Sequence, residues 1–144
     1  MKNWFVFGLL AVVVLCNMGV GEDYVTSMLN ICNRNGGHEE AAKAWAVKGS
    51  ELFGANPLLA LDCYNKSILL NPEDGEVWSE AGFCLFVTMH HTDALEAYDI
   101  ALRINPLDGE TWSRKGHVLK ILGNDDASKE AFSKAKALGC NECA

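Results

Sequence analysis

The stretch "INPLDGETW", residues 104–112, returns almost letter for letter as "LNPEDGEVW", residues 70–78, and every shared letter is displaced by the same interval: Asn71 to Asn105, Pro72 to Pro106, Trp78 to Trp112. A fixed period in the range of about 20–50 residues marks stacked supersecondary units, each too small to bury its own apolar face. Outward from the duplicated phrase, Trp45, Trp78 and Trp112 each have a glycine four residues later, at Gly49, Gly82 and Gly116. Three residues beyond each glycine stands Leu52, Leu85 or Leu119. Steps of three and four share one helical face, so each unit opens with a helix. A second helix follows, with a small residue, an aromatic four further on and a small residue three after that. These are Ala60, Tyr64 and Ser67; Ala94, Tyr98 and Ala101; and Ser128, Phe132 and Ala135. The small positions let this helix approach the glycine of its partner while the aromatic fills the space beside the contact. Pro72 and Pro106, twelve residues past Ala60 and Ala94, end the first two units, because proline cannot continue a helix.

Trp, Gly, Leu, small, aromatic, small and Pro at these spacings resemble the tetratricopeptide repeat (TPR), a helix-turn-helix of about 34 residues. The resemblance covers residues 41–139 in three units, about 42–73, 75–107 and 109–139, and the middle unit matches at every position named. It implies an all-α fold, a right-handed superhelix of three TPR helix-turn-helix units. The first unit is one residue shorter between Trp45 and Ala60, where "GANP" tightens the turn; Asn56 is the predicted N-cap and Pro57 the first helical residue. Lys48 and Lys115 stand before their glycines where the family usually has an apolar residue, and the third unit ends in Cys140 instead of proline. The duplicated phrase is then the joint between units, where Asp74 and Asp108 cap the next helix and Gly75 and Gly109 relax the turn.

With 144 residues and 49% hydrophobic content, the chain has room for one domain with a real core. Its net charge of −7, without a cluster of Lys and Arg, argues against nucleic acid as a partner. Residues 1–21 form a separate segment. Lys2 precedes the apolar run "WFVFGLLAVVVLC", residues 4–16, and Gly19 and Gly21 have the spacing a signal peptidase accepts. An extracytoplasmic protein is expected, secreted or membrane-anchored. The run is shorter than the roughly 20 apolar residues of a spanning helix; membrane attachment by an uncleaved anchor is the alternative, and lipidation of Cys16 is disfavoured by the large Leu15. Within the cap or linker 22–40, Val25, Met28, Leu29 and Cys32 supply one side of a short helix. Three repeats are near the minimum that buries a continuous core, and such arrays close with a polar capping helix. The outer face around Phe132 and Leu138 is therefore expected to be partly open, which makes a homo-oligomer the second reading.

Cleavage after Gly21 leaves Cys32, Cys63, Cys84, Cys140 and Cys143, an odd number. Cys140 and Cys143, in the tail 140–144, follow a helix C-terminus, where the dipole has the wrong sign to activate a thiol, and no second ligand pair completes a zinc site. A disulfide, local or between chains, is favoured over unpaired thiols and over metal or redox chemistry. Cys63 and Cys84 read as small buried hydrophobes, with a bridge between them as the alternative. His90 and His91 read as surface residues of a turn. The sequon Asn65-Lys66-Ser67 lies within a helix with Ser67 at a packing position, which argues against glycosylation. No Ser, His and Asp set, phosphate loop or carboxylate pair proposes catalysis, and no cofactor or metal is implied.

TPR ligands lie in the concave surface of the first helices. The resemblance puts there the residues after each Trp, after each Gly and four after each Gly: Ala46, Ser50 and Phe53; Ser79, Phe83 and Phe86; Ser113, His117 and Lys120. Three phenylalanines with hydroxyls describe an apolar slot for an extended or helical peptide. The carboxylate clamp of chaperone-binding members needs Lys, Asn and Arg at such positions, and of these only Lys120 is present. Packing of Phe83 and Phe86 within or between repeats would leave a shallower groove. The expected role is an exported, non-enzymatic scaffold or adaptor for a protein or peptide. The alternatives are a self-assembling subunit of an envelope complex and a thiol-redox or metal-handling accessory through Cys140 and Cys143.

Overall fold

The computed structural model describes residues 37–140. Residues 1–21, expected above to direct export, most of the 22–40 linker and Cys143 lie outside the described residues. The chain divides into two compact units, Met1–Ala41 and Ala42–Ala144. The described part of the first is the opening of the first helix, and the packed helices belong to the second. Six helices follow one another: α1 Gly37–Phe53, α2 Pro57–Leu70, α3 Gly75–Val87, α4 His91–Ile104, α5 Gly109–Ile121 and α6 Asp125–Ala137. No strand occurs among the described residues, so the fold is an all-α helical repeat. Each helix packs against its neighbours in sequence, and α3 also touches α5.

The pairing within a unit depends on a glycine under an aromatic ring. A Cβ on Gly49 would lie 2.7 Å from Cε1 of Tyr64, one on Gly82 2.7 Å from Cε1 of Tyr98, and one on Gly116 2.8 Å from Cε1 of Phe132. The small residues beside each ring are buried, and two of them add hydrogen bonds: Ser67 Oγ donates to Ala42 O at 2.7 Å and Ser128 Oγ to Gly116 O at 2.9 Å. A hydroxyl that finds a carbonyl on the facing helix can occupy a core position without desolvation cost.

Consecutive units are joined by a hydrogen bond that explains the duplicated phrase. Trp78 Nε1 donates to Pro72 O at 2.9 Å, and Trp112 Nε1 donates to Pro106 O at 3.0 Å. The proline ends one unit and its carbonyl holds the tryptophan of the next. Capping follows the sequence reading: Asn56 Oδ1 accepts from the N–H groups of Leu58 and Leu59, Asp74 from Val77, and Asp108 from Glu110 and Thr111. Gly75 and Gly109 require a correction, because neither has a positive φ and neither relaxes the turn. They begin α3 and α5, and they are small because a Cβ would press on Ala101 O and Ile104 at 3.2–3.3 Å, or on Leu138 and Ala135 O at 3.1–3.3 Å.

Helices α3, α5 and α6 end alike. The N–H of His90 donates to Leu85 O and that of Met89 to Phe86 O; Asn124 and Gly123 donate to Leu119 and Lys120, and Cys140 and Gly139 to Ala135 and Lys136. This pair of hydrogen bonds needs one residue in the left-handed region. Gly123 and Gly139 provide it at φ 79° and 90°, while the middle unit places Met89 there at φ 68°. The last helix is polar outside: Lys129, Ser133 and Lys136 are exposed, whereas Phe132 is half-buried over Gly116. Among the described residues of this end, Leu138 leaves a modest apolar edge, at 39% exposure.

Met89 is 75% exposed and holds its unfavourable conformation without compensating packing, so Met89→Gly should stabilise the domain by about 0.5–1 kcal/mol in urea unfolding. Gly82→Ala should destabilise by about 1–3 kcal/mol, because the methyl collides with the Tyr98 ring. At Gly54 a Cβ meets nothing within 4 Å, and Gly54→Ala is the control that should not destabilise by overpacking.

Candidate groove of the first helices

Three first helices supply equivalent positions side by side. Immediately after each Trp, Ala46 packs on the core and Ser79 and Ser113 are buried, so this row forms a floor and not an open lining. Immediately after each Gly stand Ser50, exposed with its hydroxyl donating to Val47 O, then half-buried Phe83, then exposed His117. Four after each Gly stand half-buried Phe53 and Phe86 and exposed Lys120.

The phenylalanines meet. Phe53 and Phe83 stack across the boundary of the first two units with ring centroids 5.1 Å apart, Phe83 and Phe86 are 6.3 Å apart, and Phe86 continues to the His91 ring at 5.6 Å. The result is a ladder of rings along the helices, each packed on the next yet still partly open to solvent. His117 turns its ring onto Phe132 of its own unit at 4.9 Å and leaves the ladder, which ends before α5.

Arg114 closes it instead. Its guanidinium lies 4.8 Å from the Phe83 ring centroid, donates to Glu80 Oε1 at 2.8 Å and Ser79 Oγ at 3.3 Å, and pairs with Glu110. Burial disfavours its charge, but the hydrogen bond and charge of Glu80, helped by Glu110, outweigh this and raise its pKa above the usual value. Beneath it Ser79 and Thr111 share a 2.6 Å hydrogen bond, and the Thr111 hydroxyl also donates to Asp108, the cap of α5. Sequence reading missed Arg114 because it followed only the three groove rows. The available signal was Glu80, which holds the same repeat position one unit earlier with the opposite charge.

His90 is exposed as expected, but His91 is half-buried against Phe86, with a buried Nδ1 that has no hydrogen-bond partner. The Tyr98 hydroxyl is a second buried group without one. A separate cleft of about 200 Å³ among α4, α5 and α6 has Trp112 in its wall; Lys115 and Lys134 lie over that ring at 5.2 and 4.4 Å and pair with Asp99 and Glu130. Among the described residues no group of three or more His, Cys, Asp or Glu is placed to hold a metal, and no helix is long and apolar enough to cross a membrane.

Cys63 and Cys84 are buried free thiols and do not bridge; Cys140 is disulfide-bonded. Burial, reinforced by Glu80, pushes the Cys84 thiol up to about 12, and burial likewise raises Cys63. The hydroxyls of Tyr64, at about 12, and Tyr98 are raised chiefly by burial too. In each case the unfolded chain loses its proton first. Stability should therefore be flat through neutral pH and fall as the pH rises from about 9 towards 12, measured by urea unfolding across that range. At pH 8 both thiols should resist a thiol reagent in the native protein and react promptly in denaturant.

No family model matches the chain, and no curated protein matches it. Solved structures do match. A crystal structure of MamA is 24% identical, with a TM-score of 0.66 over 70% of this chain and 60% of its own, so this chain spans well under the whole of that protein. The first TPR of Spaghetti (RPAP3), bound to the HSP90 peptide SRMEEVD, is 20% identical with a TM-score of 0.70, covering 72% and 82%. The Arabidopsis OM64 TPR domain is 18% identical with a TM-score of 0.70, covering 72% and 87%. Glycine under aromatic, tryptophan on proline carbonyl and a backbone superposable on these domains together give this chain the tetratricopeptide-repeat fold.

Proposed function

We propose that the protein is a non-enzymatic scaffold that holds a protein or peptide partner against its first helices. The observation that carries this reading is the Phe53, Phe83 and Phe86 ladder, kept half-exposed across a repeat boundary. Covering the open part of each ring is worth about 1 kcal/mol, so a partner can gain affinity there without disturbing the core. Exposed Val47, Val87 and Ile121 extend the apolar surface along the same helices. Two TPR domains of RPAP3, similar to this chain in fold, are bound to an HSP90 peptide, which supports the same use of the surface here.

The same proposal puts the module outside the cytoplasm, released or held by its N-terminal segment. Lys2, the apolar run 4–16 and the small Gly19 and Gly21 support it, as does the disulfide of Cys140 in a chain whose other described thiols stay free.

Peptides selected from a displayed random library should bind the wild-type protein and lose about tenfold in affinity with Phe83→Ala, while Phe83→Leu keeps most of it. A library that yields no binder, or binders indifferent to Phe83→Ala in a protein of unchanged melting temperature, would sink the groove reading. For export, the intact mass of protein recovered from the producing cells should begin at Glu22, or include residues 1–21 in the membrane fraction; full-length soluble cytoplasmic protein would refute it.

A further inference from the structure

The turn between α3 and α4 departs from local turn chemistry at three successive positions. Met89, His90 and His91 stand where the next unit has Gly123, Asn124 and Asp125. Gly, Asn and Asp are the residue types that a left-handed position, a helix N-cap and a first helical turn favour. The middle unit gives up each of them. Met89 holds φ 68° with 75% of its surface exposed, His90 caps α4 without a side-chain hydrogen bond, and His91 opens that helix with a buried Nδ1 that has no partner. Backbone strain and an unsatisfied buried nitrogen both lower stability. Departures of this kind gather at functional positions.

What the three residues bring is donor chemistry. A thioether and two imidazoles ligate soft and borderline metal ions, whereas the oxygens of Asn and Asp suit hard ones and glycine has no side-chain donor. The tautomer of His90 is set for this role. Thr88 Oγ1 has a single proton, directed at Cys84 O at 2.8 Å and Leu85 O at 3.1 Å, so at the 3.2 Å contact the His90 Nδ1–H donates to the hydroxyl. Nε2 therefore keeps its lone pair, on an exposed ring directly after an exposed thioether. A hydrogen bond that fixes one ring nitrogen and leaves the other free is the usual support of a metal-binding histidine.

The surroundings tolerate a positive ion. The dipole of α4 opposes one at its N-terminus, but the C-terminal carbonyls of α3 and Asp93 in the first turn of α4 act in the other direction. Zinc is disfavoured, because it takes His, Cys, Asp or Glu ligands, and among the described residues no group of three of these is placed to hold a metal. A thioether beside imidazole selects a softer ion.

We propose that the turn from Met89 to His91 binds a soft monovalent cation of the Cu(I) class, with Met89 Sδ and His90 Nε2 as ligands and the His91 ring as a third donor. The site does not depend on a partner in the groove.

The probe is Ag(I), which has the soft character of Cu(I) without its redox chemistry. It is added as the nitrate, in chloride-free buffer, to the isotope-labelled full chain after accessible thiols have been alkylated; Cys63 and Cys84 are buried. In NMR spectra of the imidazole nitrogens, His90 Nε2 should shift and saturate at equimolar Ag(I), while exposed His117, engaged with Phe132, stays unmoved. Met89→Gly should weaken Ag(I) binding by at least about tenfold. The same variant should melt at a higher temperature, so the loss is not one of folding. Binding by Met89→Gly as tight as wild type, a shift shared equally by His90 and His117, or no saturable shift of His90 overturns the proposal. Zn(II) binding at His90 as tight as Ag(I) overturns the assignment of a soft ion.

Discussion

Everything in this domain depends on how closely two helices of a unit can approach. At Gly49, Gly82 and Gly116 there is no room for a methyl group, because the ring of Tyr64, Tyr98 or Phe132 already occupies it. That constraint sets the separation of the helices, and the separation puts Ala60, Ala94 and Ser128 in the core and turns the remaining face of each first helix outward. Close approach of this kind lets one large ring per unit, with small residues beside it, fill the contact between the two helices.

Between units the linkage is more polar. Trp78 and Trp112 reach back to Pro72 and Pro106, and the Glu80, Arg114 and Glu110 cluster with the Ser79, Thr111 and Asp108 chain ties α3 to α5. Fully partnered networks of this sort specify one register more than they add stability, since a slip by one residue would strand several buried hydroxyls and a guanidinium. In a repeat protein, stability is a sum of unit and neighbour terms. The α3 to α5 contact is therefore a junction whose geometry the third unit inherits directly.

The fold was legible because its determinants recur at one period: Trp, Gly, aromatic and Pro are rare enough that three coincident spacings leave little choice. The caps at Asn56, Asp74 and Asp108 were equally legible, since their chemistry is local. Gly75 and Gly109 were misread because a glycine in a turn suggests backbone freedom, whereas here the limiting space comes from a helix ending distant in sequence. Of the candidate groove, sequence placed three rows on the first helices but not which of them would be open: Ser79 and Ser113 are buried. Phe53 and Phe83 touch only because stacking brings two units together, and His117 leaves the row because Phe132 of its own unit offers it an edge contact. Arg114 was missed because its role exists only in partnership with Glu80, a full repeat away in the chain.

A ladder assembled across units has one further physical consequence. Phe53 belongs to α1 and Phe83 to α3, so the surface they form exists only when the first two units are docked. A partner that covers both rings binds the docked state and not a frayed one, and binding free energy then adds directly to the stability of that junction. The polar network between α3 and α5 holds the neighbouring junction without help from a ligand. The first junction is likewise closed without a ligand, by Trp78 on Pro72 O and Phe53 on Phe83, so a partner on the ladder adds to packing that is already made.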